Sequence, residues 1–312
     1  MSNVASIKDR LKNRSQETNK TMQELLTAYG LERTIYRLSI SKYRENFILK
    51  GGIFLYAVFD GNFSRATTDI DFLAQKISND VGNMKEVFAE IFSLETDDPL
   101  RFDLNTLEAK TITEFKEYHG VNISIMSFLD RTRIPVSIDI GFGDIIYPNS
   151  AEMKFPVVLS DEPPHIFAYS LYSSVAEKFE AVVSLAYDNS RFKDYYDLYV
   201  LAAAHEFDGK ELTEAVKETF ENRHTPISEI AAFEDGFAED PLRQSRWKSF
   251  VKKKRAMMPL TFGETINMIQ KFMGPVADAV KTGKEFGKTW DPEKQVWYQK
   301  EELAETSCPA LS

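Results

Sequence analysis

Residues 65–73 read Arg-Ala-Thr-Thr-Asp-Ile-Asp-Phe-Leu, and the alternation of acid with apolar residue from Asp69 to Leu73 predicts a half-buried strand. Pleating sends Asp69 and Asp71 to one face and Ile70 and Phe72 to the other. Two later runs share this period. Val121, Ile123 and Ile125 alternate with Asn122, Ser124 and Met126, and Ile134, Val136, Ile138 and Ile140 alternate with Pro135, Ser137, Asp139 and Gly141. Such runs favour a largely antiparallel or mixed sheet. Upstream, the short apolar run Phe47-Ile48-Leu49 ends at Lys50-Gly51-Gly52; Ile53, Phe54, Leu55, Ala57 and Val58 then suit a buried helix closed by Asp60-Gly61-Asn62. This is a strand, a glycine turn and a helix. Val81, Met84, Val87, Phe88 and Ile91 fit an amphipathic helix within 80–94, so the first half reads as α+β.

The ends of the chain read differently. Met22, Leu25, Leu26 and Tyr29, then Ile35 and Leu38, recur at helical spacing. Ser160-Asp161-Glu162-Pro163-Pro164 marks a turn or linker, which predicts a domain over 1–160 and a second over 161–312. Everything beyond that linker reads helical. Val175, Phe179, Val182, Val183 and Ala186 form one stripe; Ser190 is placed to cap a helix from Arg191 to about Ala204, and further helices are expected near 210–222, 241–254 and 262–281. Residues 288–312 carry Trp290 and Trp297 with weak periodicity, and predict a loose tail that docks by its aromatics.

Composition excludes several classes. With 43% hydrophobic and 28% charged residues among 312, the chain is neither disordered nor collagen-like. No apolar run reaches the ~20 residues of a membrane helix, and the polar, basic start lacks the apolar segment of a secretory signal. The single cysteine, Cys308, excludes an internal disulfide and a cysteine-based zinc site. A cytoplasmic protein is expected. Net charge is 38 − 48 = −10, which argues against an indiscriminate nucleic-acid coat. Charge is nevertheless uneven: residues 1–50 hold ten Lys and Arg against five acids, and Arg243, Arg246, Lys248, Lys252, Lys253, Lys254 and Arg255 form a second basic cluster. Either cluster suits a phosphate backbone, and either suits a solvated helix face.

The residues with chemistry are the acids on the predicted strands. If the Asp69–Leu73 and Ile134–Phe142 strands are neighbours, Asp69, Asp71 and Asp139 converge on one face. Carboxylates that close repel one another unless a cation neutralises them. An open, oxygen-only site suits Mg2+, which takes a few carboxylates together with phosphate oxygens and water. Two such ions would clamp the attacking and leaving oxygens of an in-line phosphoryl displacement. Gly51-Gly52 opens a helix after a strand, where backbone N–H groups can cradle a triphosphate. Arg65, Thr67 and Thr68 lead into the acids. In the helical half Lys178 lies beside the apolar stripe, and Arg191, Lys193, Asp194 and Asp197 follow, with Lys193 and Asp197 as i,i+4 neighbours.

Five ordered blocks carry a resemblance: Leu49-Lys50-Gly51-Gly52, Arg65 to Phe72, Ile138-Asp139-Ile140-Gly141-Phe142-Gly143-Asp144, Ala176-Glu177-Lys178-Phe179-Glu180-Ala181, and Asn189 to Leu198. Together they resemble the AbiEii/AbiGii toxin family of nucleotidyltransferases, over roughly residues 20–280. The resemblance implies a DNA-polymerase-β-like α+β nucleotidyltransferase domain followed by an all-helical domain that completes the NTP site. It also implies that Asp69, Asp71 and Asp139 hold metal and act in catalysis. Lys50, Gly51, Gly52, Arg65, Thr67, Lys178, Arg191, Lys193 and Asp194 would then bind the nucleotide. The broader superfamily usually has Gly-Ser where this chain has Gly51-Gly52, so the backbone must supply more of the phosphate contact.

The activity implied is Mg2+-dependent transfer of NMP from an NTP to an RNA acceptor, above all a tRNA 3′ end, by the toxin of an abortive-infection toxin–antitoxin pair. The partner implied is a cognate antitoxin, often a winged-helix regulator. Transfer to a protein hydroxyl would use the same metal site, and a non-catalytic nucleotide-binding module would keep the fold without the reaction.

Overall fold

The structure is a computed structural model and describes residues 4–18, 20–63, 67–114, 118–254 and 261–299. The chain divides into two compact units, Met1–Asp144 with Ser150–Tyr169, and Ile145–Asn149 with Ser170–Ser312. The division falls after Tyr169 rather than at 160/161, because strand β7 (His165–Ala168) pairs with β1 (Phe47–Lys50) and so belongs to the first sheet.

That sheet has seven strands in the order β3-β4-β5-β2-β1-β7-β6, the others being β2 (Ile70–Ala74), β3 (Leu100–Glu114), β4 (Tyr118–Leu129), β5 (Thr132–Phe142) and β6 (Ala151–Lys154). It is mixed, as the alternating runs predict: β2 runs parallel to β5 and β1 parallel to β7, while the remaining neighbours are antiparallel. The predicted helices around it are α1 (Val4–Thr18), α2 (Met22–Ser39), α3 (Gly51–Val58) and α4 (Val81–Phe92). Helix α2 starts in a capping box, with Thr21 and Glu24 each bonded to the other's backbone N–H. One face of the sheet carries Phe72, Ile134, Val136, Ile138 and Ile140, all buried. Gly30 of α2 lies so close over β5 that an added Cβ would meet Ile134 Cγ2 at 2.6 Å.

The second unit contains helices α5 (Leu171–Leu185), α6 (Phe192–Ala204), α7 (Gly209–Asn222), α8 (Pro241–Lys254) and α9 (Phe262–Thr282). Helix α5 packs on α6 and α7, and α9 packs on the same two.

Four sequence expectations change. The stretch beyond residue 160 is not wholly helical: besides β7 it contains the three-stranded sheet β10 (Val296–Tyr298), β9 (Thr289–Asp291) and β8 (Phe207–Asp208). These strands have two to four residues, too few to display a period. The expected loose tail is, through residue 299, the β9–β10 hairpin. Trp290 is fully buried, donates from Nε1 to the Ala202 carbonyl at 2.7 Å and packs 4.9 Å from the Phe272 ring, so it anchors the sheet to the helices. Residues 300–312, with Cys308, lie outside the described residues. Helix α6 takes Arg191 rather than Ser190 as its N-cap, because buried Asn189 accepts the Arg191 N–H at 2.8 Å and turns the chain before the helix starts.

The fourth change concerns the N-terminal basic cluster. Arg33 and Arg37 are buried, and Arg37 grips both Asp98 oxygens at 3.1 and 3.2 Å and the Leu100 carbonyl at 2.9 Å. Their charge is consumed inside the fold. Beside them, fully buried Glu32 accepts the Val158 N–H at 2.6 Å. Burial pushes the Glu32 carboxyl up to about 8, against the opposing pull of that N–H and of Arg33.

Candidate active site

Strand register assembles the site. Lys50 on β1 pairs with Asp71 on β2, Asp71 with Asp139 on β5, and Asp139 with Asn122 on β4. Residues directly opposite across neighbouring strands point to the same face, so Lys50, Asp71, Asp139 and Asn122 form one row over four strands. All four are half-buried, while their neighbours Leu49, Ile70, Phe72, Ile138 and Ile140 fill the core face. The alternation visible in the sequence therefore does place Asp71 and Asp139 side by side.

Each member of the row is positioned by a second group. Asn122 Nδ2 donates to Asp139 Oδ1 at 2.7 Å and to Ser137 Oγ at 3.0 Å, fixing the Asp139 carboxylate. Lys50 Nζ donates to Asp144 Oδ2 at 2.6 Å and stands 5.2 Å from the centre of the Tyr169 ring. Gly143, at φ +83°, turns the chain after β5 and brings Asp144 back to that ammonium. Gly51 has φ +67°, and an added Cβ would fall 2.1 Å from Asp71 Oδ2. Only glycine fits there, on conformation and on space. Asp69 stands one residue before β2, exposed, with its carboxylate accepting the Thr68 hydroxyl at 2.9 Å. Thr67 donates to the Asp69 carbonyl at 3.2 Å, and Arg65 lies outside the described residues.

The donor set presented by Asp71 and Asp139 fits magnesium. It is wholly oxygen, which suits a hard cation. Among the described residues no three acidic, histidine or cysteine side chains gather into a ready-made cage. Magnesium does not require one, since it is commonly held by one or two carboxylates with substrate phosphates and water completing the shell. The Asp71–Asp139 pair fits that pattern.

In the helical unit, α5 and α6 bring together Lys178, Asp194 and Asp197. Lys178 Nζ meets Asp197 Oδ2 at 2.6 Å and Asp194 Oδ1 at 3.6 Å, and Arg191 Nε donates to Asp194 Oδ2 at 2.7 Å. Lys178, Asp194 and Asp197 are 8%, 1% and 0% exposed. Lys193 is exposed: Asp197 takes Lys178 from α5 instead of its i,i+4 neighbour. The acids flanking Lys178 are tied to Arg223, at 3.2 Å for Glu177 and 2.8 Å for Glu180, and Glu180 also accepts the Thr225 hydroxyl at 2.6 Å. Asn122, Arg223 and Thr225 had no signal in the sequence, and Asp144 none beyond its place in the Ile138–Asp144 block, because each finds its partner across more than fifteen residues of chain. Of the second basic cluster, Arg243 is held over the Phe237 ring at 4.3 Å and Arg246, Lys248 and Lys252 are exposed, while the side chains of Lys253 and Lys254 and all of Arg255 lie outside the described residues.

A strand–glycine turn–helix followed by paired strand carboxylates is the arrangement of a nucleotidyltransferase domain. The family profile described as nucleotidyl transferase AbiEii toxin, type IV TA system, matches residues 33–268. The chain belongs to this AbiEii nucleotidyltransferase toxin family of type IV toxin–antitoxin systems. No curated protein matches the sequence. Among solved structures, JHP933 from Helicobacter pylori is similar at 14% identity and TM-score 0.44, over 83% of this chain and 94% of its own. A second H. pylori structure, of a candidate nucleotidyltransferase, has the same identity and TM-score and covers 82% of this chain and 96% of its own. No helix among the described residues is long and apolar enough to cross a membrane.

Proposed function

We propose that the chain transfers a nucleoside monophosphate from an NTP to the 3′ end of an RNA, with tRNA as the acceptor. The observation that carries this reading is the in-register Asp71–Asp139 pair abutting the Gly51 turn. The backbone N–H groups that open α3 at Gly51 and Gly52 receive triphosphate oxygens. Asp71, Asp139 and Asp69 would hold Mg2+, which would offset charge on the carboxylates and the phosphates. Asp139, oriented by Asn122, accepts the proton of the attacking ribose hydroxyl. The hydroxyl oxygen forms a bond to the α-phosphorus as the bond to pyrophosphate breaks. Lys50, Arg65, Thr67, Lys178, Arg191, Lys193 and Asp194 are assigned to the nucleotide, on the family pattern. A winged-helix antitoxin is the proposed partner.

The test is to incubate the protein with each labelled NTP, total RNA and total protein, then to sequence RNA 3′ ends. Label at RNA 3′ ends, lost with chelator and with Asp71→Asn, is the expected result. Label in protein alone would replace RNA by a protein hydroxyl as the acceptor, and no label anywhere would overturn the transfer reaction.

A further inference from the structure

We infer that the open face of β3, β4 and β5 is the track along which a single-stranded RNA end reaches the carboxylate row. This rests on the transfer reaction proposed above and names the residues that hold its acceptor.

The rows parallel to Lys50–Asp71–Asp139–Asn122 define the track. Next along β4 come Ser124 opposite Ser137, then Met126 opposite Pro135 and Asp103, then Phe128 opposite Arg133 and Arg101. All point away from the core face, which is filled by Ile123, Ile125, Ile134, Val136 and Ile138. Six residues separate Asp139 from Arg133, about 20 Å of strand. Between them lies a cavity of about 560 Å³ whose lining includes Asp69 at one end and Phe128 and Arg133 at the other, with Met126 and Ser137 on its floor. A bulge in β3 between Asp103 and Glu108 forms its wall, where Thr106 Oγ1 accepts the Met126 N–H at 2.9 Å.

The chemistry of the far end selects the occupant. The Arg101 guanidinium sits 5.0 Å from the centre of the Phe128 ring, and exposed Arg133 stands opposite Phe128 in the strand register. An aromatic ring with arginines opposite it on the neighbouring strands suits a stacked base and the phosphates beside it. The acids of β3 along the track are engaged: Asp103 accepts the Asn105 backbone N–H at 3.2 Å and the Asn105 side-chain amide at 3.1 Å, and Glu108, opposite Ser124, pairs with Lys110 at 2.6 Å. Past the track, the β4–β5 turn carries exposed Arg131, while Lys8 of α1 is paired with Asp130 at 3.3 Å. The track joins a polyanion-binding end to the row that acts on the terminal hydroxyl. A carboxylate row at one end and a guanidinium with a ring at the other fit an RNA strand.

The experiment measures anisotropy of a fluorescent RNA hairpin with a single-stranded 3′ tail against the full chain, over a salt series and without NTP. Arg101→Gln with Arg133→Gln should weaken binding at low salt at least tenfold and reduce the slope of log Kd against log salt by about 1.4, two contacts at about 0.7 each. Phe128→Leu should weaken it about tenfold with the slope unchanged, and Phe128→Tyr should bind as the wild type does. A blunt hairpin should lose less than the tailed one in every variant. Thermal melts of the same samples identify any variant that has merely unfolded. If the folded Leu and double-Gln variants bind tailed RNA as tightly as wild type, while wild type still labels RNA 3′ ends, the track is overturned and the transfer reaction stands. If wild type neither binds nor labels RNA, both fall together.

Discussion

The chain holds two ionic clusters built on opposite plans. On the sheet, Lys50 bonds Asp144 while Asp71 and Asp139 stand in register beside it, and all four are half-buried. On the helices, Asp194 and Asp197 meet two cations, Lys178 and Arg191, and the lysine and both acids are buried. The balanced cluster neutralises itself, so its groups cost little to keep from water only while all are present. The sheet cluster stands on a half-buried face, where a cation and a cation-bound phosphate can reach its carboxylates. Carboxylates at partial burial mark a place for chemistry, and paired charge at full burial carries structure whatever else it binds.

This contrast can be broken most directly at the sheet. Asp71→Asn and Asp139→Asn should each lower nucleotidyl transfer by about a thousandfold or more, while urea unfolding shows stability unchanged or slightly raised, since like charge is removed. A marked loss of stability in either variant would erase the distinction. At the helices the effect should fall on folding: Lys178→Met leaves Asp197 buried without its counter-charge and should cost about 3–5 kcal/mol. Adding Asp197→Leu should recover a large part of that loss; no recovery in the double-mutant cycle would mean that the pair does not act as a unit.

Gly51→Ala probes the turn beside the carboxylate row. The substitution forces a left-handed residue and a Cβ into the Asp71 carboxylate, so a stability cost of about 1–3 kcal/mol should come with strongly impaired transfer. Full activity in this variant would show that the turn has no part in the reaction.

Glu32 provides a third kind of cluster, and its signature is pH. The folded protein keeps a proton on Glu32 up to about pH 8, whereas the unfolded chain releases it near 4.5. The folded state therefore binds more protons across that window, and stability falls as pH rises from about 4.5 to 8, then levels. The slope contributed is at most about 1.4 kcal/mol per pH unit. Urea titrations of Glu32→Gln should show this component missing; an identical pH profile in both proteins would contradict the buried, protonated carboxyl. The smallest effect belongs to Lys193→Gln, where exposure predicts a stability change within about 0.5 kcal/mol. A larger loss would bring Lys193 into the helical cluster.

Legibility in the sequence followed the length scale of each interaction. The β1–glycine–α3 unit, β2, β4 and β5 were readable because period and turn residues are local. The Asp71–Asp139 pairing was readable because both acids sit at alternating positions of strongly apolar runs. Strand β3 was not: Leu100, Arg101, Phe102 and Asp103 alternate, but the bulge at Asp103–Glu108 shifts the period before it can be recognised. Arg33 and Arg37 read as surface charge because their partner, Asp98, lies sixty residues away. The β9–β10 hairpin escaped for a related reason, since Trp290 gains its anchor from Ala202, far back in the chain.

The insertion of β7 between β1 and β6 also has a consequence for how the protein is made. Strand β1 ends at Lys50, and its parallel neighbour pairs with it at Phe167 and Ala168, so 167 − 50 = 117 residues must follow before that edge is covered. At about 5–20 residues per second on the ribosome, this leaves the edge bare for on the order of ten seconds in every nascent chain. A chain released before His165 would retain the carboxylate row yet keep an open strand edge beside Lys50, and such edges recruit other chains. Interrupted synthesis of this protein should therefore deliver aggregates, which limits how much of a potentially harmful half-product can accumulate in soluble form.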